Sequence, residues 1–366
     1  MELYKINTGK ELGTKNTIMK NGKHRLKIAE QRGEISMKRF WHLLAMGICL
    51  FLFSSTCQAA VQDKYPLPAP YAQLEKQYLE EYPDLQKTMD DMILTTEKQM
   101  AKPQNDILHN RICTALVYQM AKHDKLSKKE TRLAIAGDLL HNIAKQDKDY
   151  VLSNPKLLEN TIEMTAELRK RGYLKKSHEF MEKAEMFRNH KLGNNRGLIH
   201  HLTGAVLAGE LLQKEGFKPK DIALLQACIV EHSTGYWYFR DQVDKMFPEV
   251  PEAWKYVYPE PENRLADYIH DADLVSQFVP ASVVPEGSKW RNLATNRWGA
   301  DQSAKSQAHV VYYVFDRLYG EARTPIGKAM AKEKWDGISS QLKQLMGIKQ
   351  EEDPIQLFGI PAFWKK

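Results

Sequence analysis

The sequence predicts an all-α protein, a multi-helix bundle. Three observations carry that expectation. From residue 60 onward apolar residues recur at helical spacing, with no sustained alternating run of the kind a half-buried strand requires. Start and stop signals punctuate the pattern: Ser127-Lys128-Lys129-Glu130 is a capping box, Pro219 fits a first turn, and Gly216 fits a stop. The chain has 366 residues, of which 43% are hydrophobic, enough for one sizeable core or two small ones.

The formal charge of +7 is not spread evenly. Residues 1–40 hold ten Lys and Arg against four acids, and the remainder holds 43 against 42. The body of the chain is therefore near neutral, which removes any net-charge argument for a nucleic-acid partner. Residues 37–59 read as a secretory signal peptide. Met37-Lys38-Arg39 is its basic start, Leu43 to Phe53 an apolar run of 11 residues, and Cys57-Gln58-Ala59 a small-residue cleavage site before Ala60. The run is short of the roughly 20 residues a span needs. A periplasmic or secreted address follows, with no membrane span in the mature chain. The alternative is an uncleaved signal that anchors the protein to the inner membrane through residues 41–59. Because a signal starts near its own start codon, translation is expected from Met37, which makes residues 1–36 a non-native extension. Beyond the signal only Cys113 and Cys228 remain, both in apolar helical runs, and both read as buried free thiols rather than a disulfide.

Residues 60–104 form an N-terminal leader, Pro-rich and extended over 61–72, then a helical hairpin broken near Pro83. The main domain is expected over 105–320. Its first helix, 105–122, places His109 at the start of a stripe that continues through Ile112, Leu116 and Met120. The next helix follows the capping box and buries Leu133, Ala136, Leu140 and Ala144, with Asp138, His141 and Lys145 on an adjacent face. His141 and Asn142 lie about 100° apart around its end. Helices near 155–171 and 177–189 lead to a loop at Asn194-Asn195-Arg196-Gly197. The helix at 198–214 carries His200-His201 and, one turn on, Gly204, a point of close helix approach. The helix at 219–232 ends an apolar stripe in His232, as the earlier helix does in His141. Residues 236–261 are rich in aromatic side chains and form either a pocket wall or a hydrophobic cap. A helix to about 278 then places Asp267, His270, Asp271 and Asp273 beside Leu265, Ile269, Ala272 and Val275. So many carboxylates on a semi-apolar helix require solvent or a cation. A C-terminal helical tail, 321–366, ends in Phe363 and Trp364.

Five helices thus each offer His or Asp near an apolar stripe: His109; His141 with Asn142; His200 or His201; His232; and Asp271 or Asp273. Mixed imidazole and carboxylate ligands suit a divalent ion, Mn, Fe or Zn and less well Mg.

Over residues 105–280 the sequence resembles the HD superfamily of metal-dependent phosphohydrolases. His109-Asn110-Arg111-Ile112 is similar to the family's first His element. Leu139-Leu140-His141-Asn142-Ile143-Ala144-Lys145 is similar to its Leu-Leu-His-Asp-Ile-Gly-Lys. His200 with Gly204-Ala205, then His232-Ser233-Thr234-Gly235, resemble the two further histidine elements. Ala272-Asp273-Leu274 resembles the final Ala-Asp-x-Leu; Asp267 competes for that place, and Asp273 is preferred because it lies deeper in its helix. The resemblance implies an HD-domain-like helical fold and hydrolysis of a small phosphorylated substrate, a phosphate ester or nucleotide. It implies His109, His141, Asn142 and Asp273 as ligands of one cation, with His200 and His232 holding a second ion or the substrate. Lys145 would neutralise phosphate charge, and Asp138 is the other candidate catalytic residue. Two departures stand out. Asn142 replaces the family's bridging Asp and offers one neutral carbonyl oxygen, and Ala144 replaces a Gly. Asn142 supports the alternative of a catalytically degenerate member that binds a ligand or partner.

Overall fold

Among the described residues of the computed structural model there are fourteen α-helices and no strand. Those residues are 64–100, 103–144, 155–174, 196–233, 236–258 and 262–365, with Met186, Arg188 and Leu192. The expectations for residues 1–36 and 37–59, for Lys145 and for most of a helix near 177–189 lie outside them. No helix of the described residues is long and apolar enough to cross a membrane.

Helices α1 (Ala69–Glu81) and α2 (Leu85–Gln99) form the hairpin around Pro83. The extended leader is shorter than expected. Pro70 lies in the first turn of α1, where its missing N–H costs nothing because that donor has no helical partner anyway. Helix α3 (Pro103–His123) packs on both. Its Arg111 is fully buried and donates to Glu75 Oε2 at 2.7 Å, to Glu75 Oε1 at 2.5 Å and to the Tyr65 carbonyl at 2.6 Å. This bidentate pair ties α1 and the residue that precedes the hairpin to α3.

Helix α4 (Lys128–Leu140) starts at the capping box, with both reciprocal bonds made: Glu130 N to Ser127 Oγ, 3.2 Å, and Ser127 N to Glu130 Oε2, 3.0 Å. Every residue from Leu133 to Ala144 is buried, so neighbours encase this helix on all sides. A Cβ on Gly137 would stand 2.9 Å from Ile269 Cδ1 and 3.2 Å from Leu225 Cδ2, so a larger residue here would have to displace the tips of those two side chains. The next helices are α5 (Pro155–Lys170), α6 (Arg196–Lys214) and α7 (Pro219–His232). Helix α8 (Trp237–Met246) and a 3-10 turn at Ala253–Tyr256 form the aromatic segment. Helix α9 (Arg264–Gln277) is capped by Asn263, whose side-chain oxygen accepts from Leu265 N at 3.0 Å. The chain finishes with α10 (Pro280–Val283), α11 (Lys289–Trp298), α12 (Ala304–Leu318), α13 (Pro325–Met346) and α14 (Pro354–Phe358).

Helix α9 is the hub, packing on α3, α4, α7 and α13. The expectation that these carboxylates need solvent or a cation is corrected for Asp271, which is fully buried and bonded, whereas the Asp267 side chain is 31% exposed and does meet solvent. Asp271 accepts from Arg323 N at 2.8 Å, Thr324 N at 2.7 Å and Thr324 Oγ1 at 2.6 Å, and so caps the start of α13. Asp267 accepts from Arg323 Nη1 at 3.4 Å. Backbone amides, the Thr324 hydroxyl, the neighbouring His270 ring and one arginine satisfy these two, and Asp273 is the one that meets His109. The aromatic segment divides in a similar way. Tyr238 packs edge-on against Trp290 and Trp298, and Trp237 meets Tyr313 and Trp364, which makes the middle of the segment a cap. Of its flanking residues, Tyr236 reaches Asp273, whereas Tyr258 stacks on His201.

Candidate metal centre

Four histidines form a row inside the bundle. Ring centroids are 5.7 Å apart for His109 and His141, 4.9 Å for His141 and His232, and 5.3 Å for His232 and His200. Helix α3 supplies His109, the end of α4 His141, α6 His200 and the end of α7 His232. Gly204 of α6 lies against the His141–Ala144 turn, where a Cβ would stand 3.6 Å from both the His141 carbonyl and Ala144 Cβ. That is ordinary contact, so the close pass expected at Gly204 occurs but does not demand glycine.

Three of the rings are oriented by one device. His141 Nδ1 donates to the Asp138 carbonyl at 2.5 Å, His232 Nδ1 to the Ile229 carbonyl at 2.6 Å and His200 Nδ1 to the Gly197 carbonyl at 3.1 Å. Each carbonyl lies three residues back on the ring's own helix, and a carbonyl only accepts. The hydrogen is therefore on Nδ1, and Nε2 keeps its lone pair. A metal-binding histidine is usually held by such a bond through its other nitrogen. His232 Nε2 is buried with no hydrogen-bond partner. Burial, with the His141 ring beside it, holds the His232 imidazole well below its ordinary pKa. His201 points elsewhere: Nε2 donates to the Val257 carbonyl at 2.8 Å and the ring stacks on Tyr258. Burial lowers its pKa to about 4. Of the pair left open by the sequence, His200 joins the row.

Asp273 comes from α9. Its Oδ1 accepts from His109 Nε2 at 3.0 Å and from Gln277 Nε2 at 3.1 Å, and its Oδ2 accepts from the Tyr236 hydroxyl at 2.5 Å. Asn142 directs Nδ2 to His141 Nε2 at 2.6 Å, while its Oδ1 is buried without a partner. Asp138 is fully buried below His141. Its Oδ2 accepts from Thr114 Oγ1 at 2.7 Å, Oδ1 lies 3.6 Å from His141 Nδ1, and burial, with Asp273 adding repulsion, raises its pKa well above the carboxylate range. The 2.5 Å backbone bond is the partner of Nδ1, and Asp138, fully buried, lies behind His141.

His109, Cys113, His141 and Asp273 form a buried group that could hold a metal ion, their candidate ligand atoms all within 4.8 Å of one another. Tetrahedral zinc bonds of about 2.1 Å to nitrogen or oxygen and 2.3 Å to sulfur put ligand atoms about 3.4 to 3.6 Å apart. The His109–Asp273 contact, 3.0 Å, would open slightly as a cation replaced the shared proton, and the widest separation would close by about an ångström. The donor chemistry and the orphaned Asn142 oxygen fit a divalent ion.

Two contributors escaped the sequence reading. Cys113 is a buried free thiol, as the sequence predicts, but its place beside the histidines was not read, although its spacing of four from His109 on one helix is a visible signal. Tyr236 carried no local signal, since its partner Asp273 is 37 residues away. No family model, curated protein or solved structure matches this chain.

Proposed function

We propose that the protein is a metal-dependent phosphohydrolase of the HD type, acting on a small phosphate ester or nucleotide. The observation that carries this reading is the convergence of His109, His141, His200, His232 and Asp273 from five helices, with three Nε2 lone pairs fixed by backbone carbonyls. A divalent cation there supplies a Lewis acid for a phosphoryl oxygen and acidifies a water. The chain's own groups do the rest. His109, His141 and Asp273 would hold the cation, Tyr236 bonds Asp273 beside His109, and His232 and His200 would contact the phosphate or a second ion. An exported address, expected from residues 37–59, favours extracytoplasmic esters over intracellular messengers.

The test is metal analysis of the purified protein, with hydrolysis of generic phosphomonoesters and phosphodiesters under added Mn or Zn. Bound transition metal together with activity lost in His141→Ala supports the proposal. Protein that takes up no metal and cleaves neither ester class refutes it. One contact favours a second reading, a ligand-binding relative without catalysis: the Asn142 amide donates into the His141 Nε2 lone pair that a cation would use. Tight metal-independent binding of a phosphorylated ligand, without turnover, would establish that reading instead.

A further inference from the structure

We propose that Cys113 is a direct ligand of the cation, which makes the centre a thiolate site for zinc or ferrous iron rather than a magnesium or manganese site. The inference rests on the metal-centre reading above. Cys113 lies four residues after His109 on α3, so both side chains leave the same face of one helix. Its Sγ is 3.7 Å from His109 Nδ1 and 3.8 Å from Nε2, close to the roughly 3.6 Å between sulfur and nitrogen on tetrahedral zinc. The side chain is completely buried and its sulfur lies within the same 4.8 Å group as His141 and Asp273. Cys228 is equally buried but belongs to no such group among the described residues.

Charge gives the second argument. Asn142 contributes no charge, and His141 enters as a neutral ring. With only Asp273 as an anion, a divalent ion in this buried place would keep an excess positive charge, which a low-dielectric interior penalises. One thiolate balances it. On binding, the S–H bond breaks, the proton leaves to solvent and the sulfur lone pair is donated to the metal; no electrons change hands. Thiolate ligands select the softer ions, whereas magnesium and manganese prefer oxygen.

Cobalt(II) is the probe, added to the full chain carrying Cys49→Ser, Cys57→Ser and Cys228→Ser, in which Cys113 is the sole thiol. The expected result is a near-ultraviolet thiolate-to-cobalt charge-transfer band alongside the visible bands of a tetrahedral ion. Cys113→Ser should abolish the charge-transfer band and keep visible bands. Its zinc affinity should fall by more than the roughly 10- to 100-fold that loss of an outer partner costs, with manganese affinity unchanged. Visible bands without charge transfer in the sole-thiol protein overturn the role of Cys113 and leave the metal centre standing. No cobalt uptake by equilibrium dialysis overturns both. If Cys113→Ser does not fold, the sole-thiol spectrum decides alone.

Discussion

Replacing Asn142 with aspartate changes one NH2 to an oxygen in a residue only 3% exposed. The carboxamide now donates to His141 Nε2 at 2.6 Å. The carboxylate would face that lone pair as a second acceptor, with no donor between them. Losing the hydrogen bond costs about 1 kcal/mol. Desolvating the new charge adds more, though less than the roughly 3–5 kcal/mol of a fully uncompensated buried ion, because His141 can take up a proton in response. A net loss of about 2–3 kcal/mol in metal-free protein is expected, or about 5 °C in melting temperature for a chain of this size. A cation reverses the sign, because it sits between the two acceptors and meets an added negative charge. At 100 times its Kd, zinc should restore about 2.7 kcal/mol. The assay is thermal unfolding of Asn142→Asp and wild type, each with chelator and with zinc, alongside metal counts by mass spectrometry. The reasoning is refuted if chelated Asn142→Asp melts with wild type and zinc stabilises it no more than wild type.

Three further perturbations separate the site from its support. Tyr236→Phe removes the 2.5 Å bond to Asp273 Oδ2 and should lower zinc affinity by about 10- to 100-fold, measured by chelator competition, with little change in helicity. Arg111→Met leaves Glu75 buried and unpaired and should cost about 3–5 kcal/mol by urea denaturation; a loss under 1 kcal/mol would mean the Glu75–Arg111 pair is dispensable. Acid should destabilise the fold through His201. Its pKa is about 4 when folded against 6.5 when unfolded, so the unfolded chain binds the proton first. Stability is full above about pH 6.5 and falls by about 3 kcal/mol as pH drops to 4. The pKa of His270 is depressed to about 4 by burial as well, so His201→Gln should remove only the His201 share and leave a comparable loss between pH 6.5 and 4.

The helices were largely legible because their punctuation is local. Ser127 with Glu130, and Pro219, each act within one turn, and each starts a helix where the sequence places it. The histidine row was legible for a related reason: His141 and His232 both end apolar stripes, and such stripes point inward. What the sequence left open depended on partners far along the chain. Asp271 and Asp273 look alike locally, and distant partners such as Thr324 for the first and His109 and Tyr236 for the second tell them apart. His200 and His201 are separated by Gly197 and Val257 in the same way. Gly327 stands opposite Asp271 across the start of α13, where a Cβ would lie 2.1 Å from Asp271 Oδ2, and periodicity gives no hint of that need.

Asp271 and Asp273 share one turn of α9. The first grips the start of α13 through Thr324, and the second faces His109. One turn of backbone therefore does two jobs: the length of α9 that anchors the 22-residue α13 also sets where the Asp273 carboxylate stands.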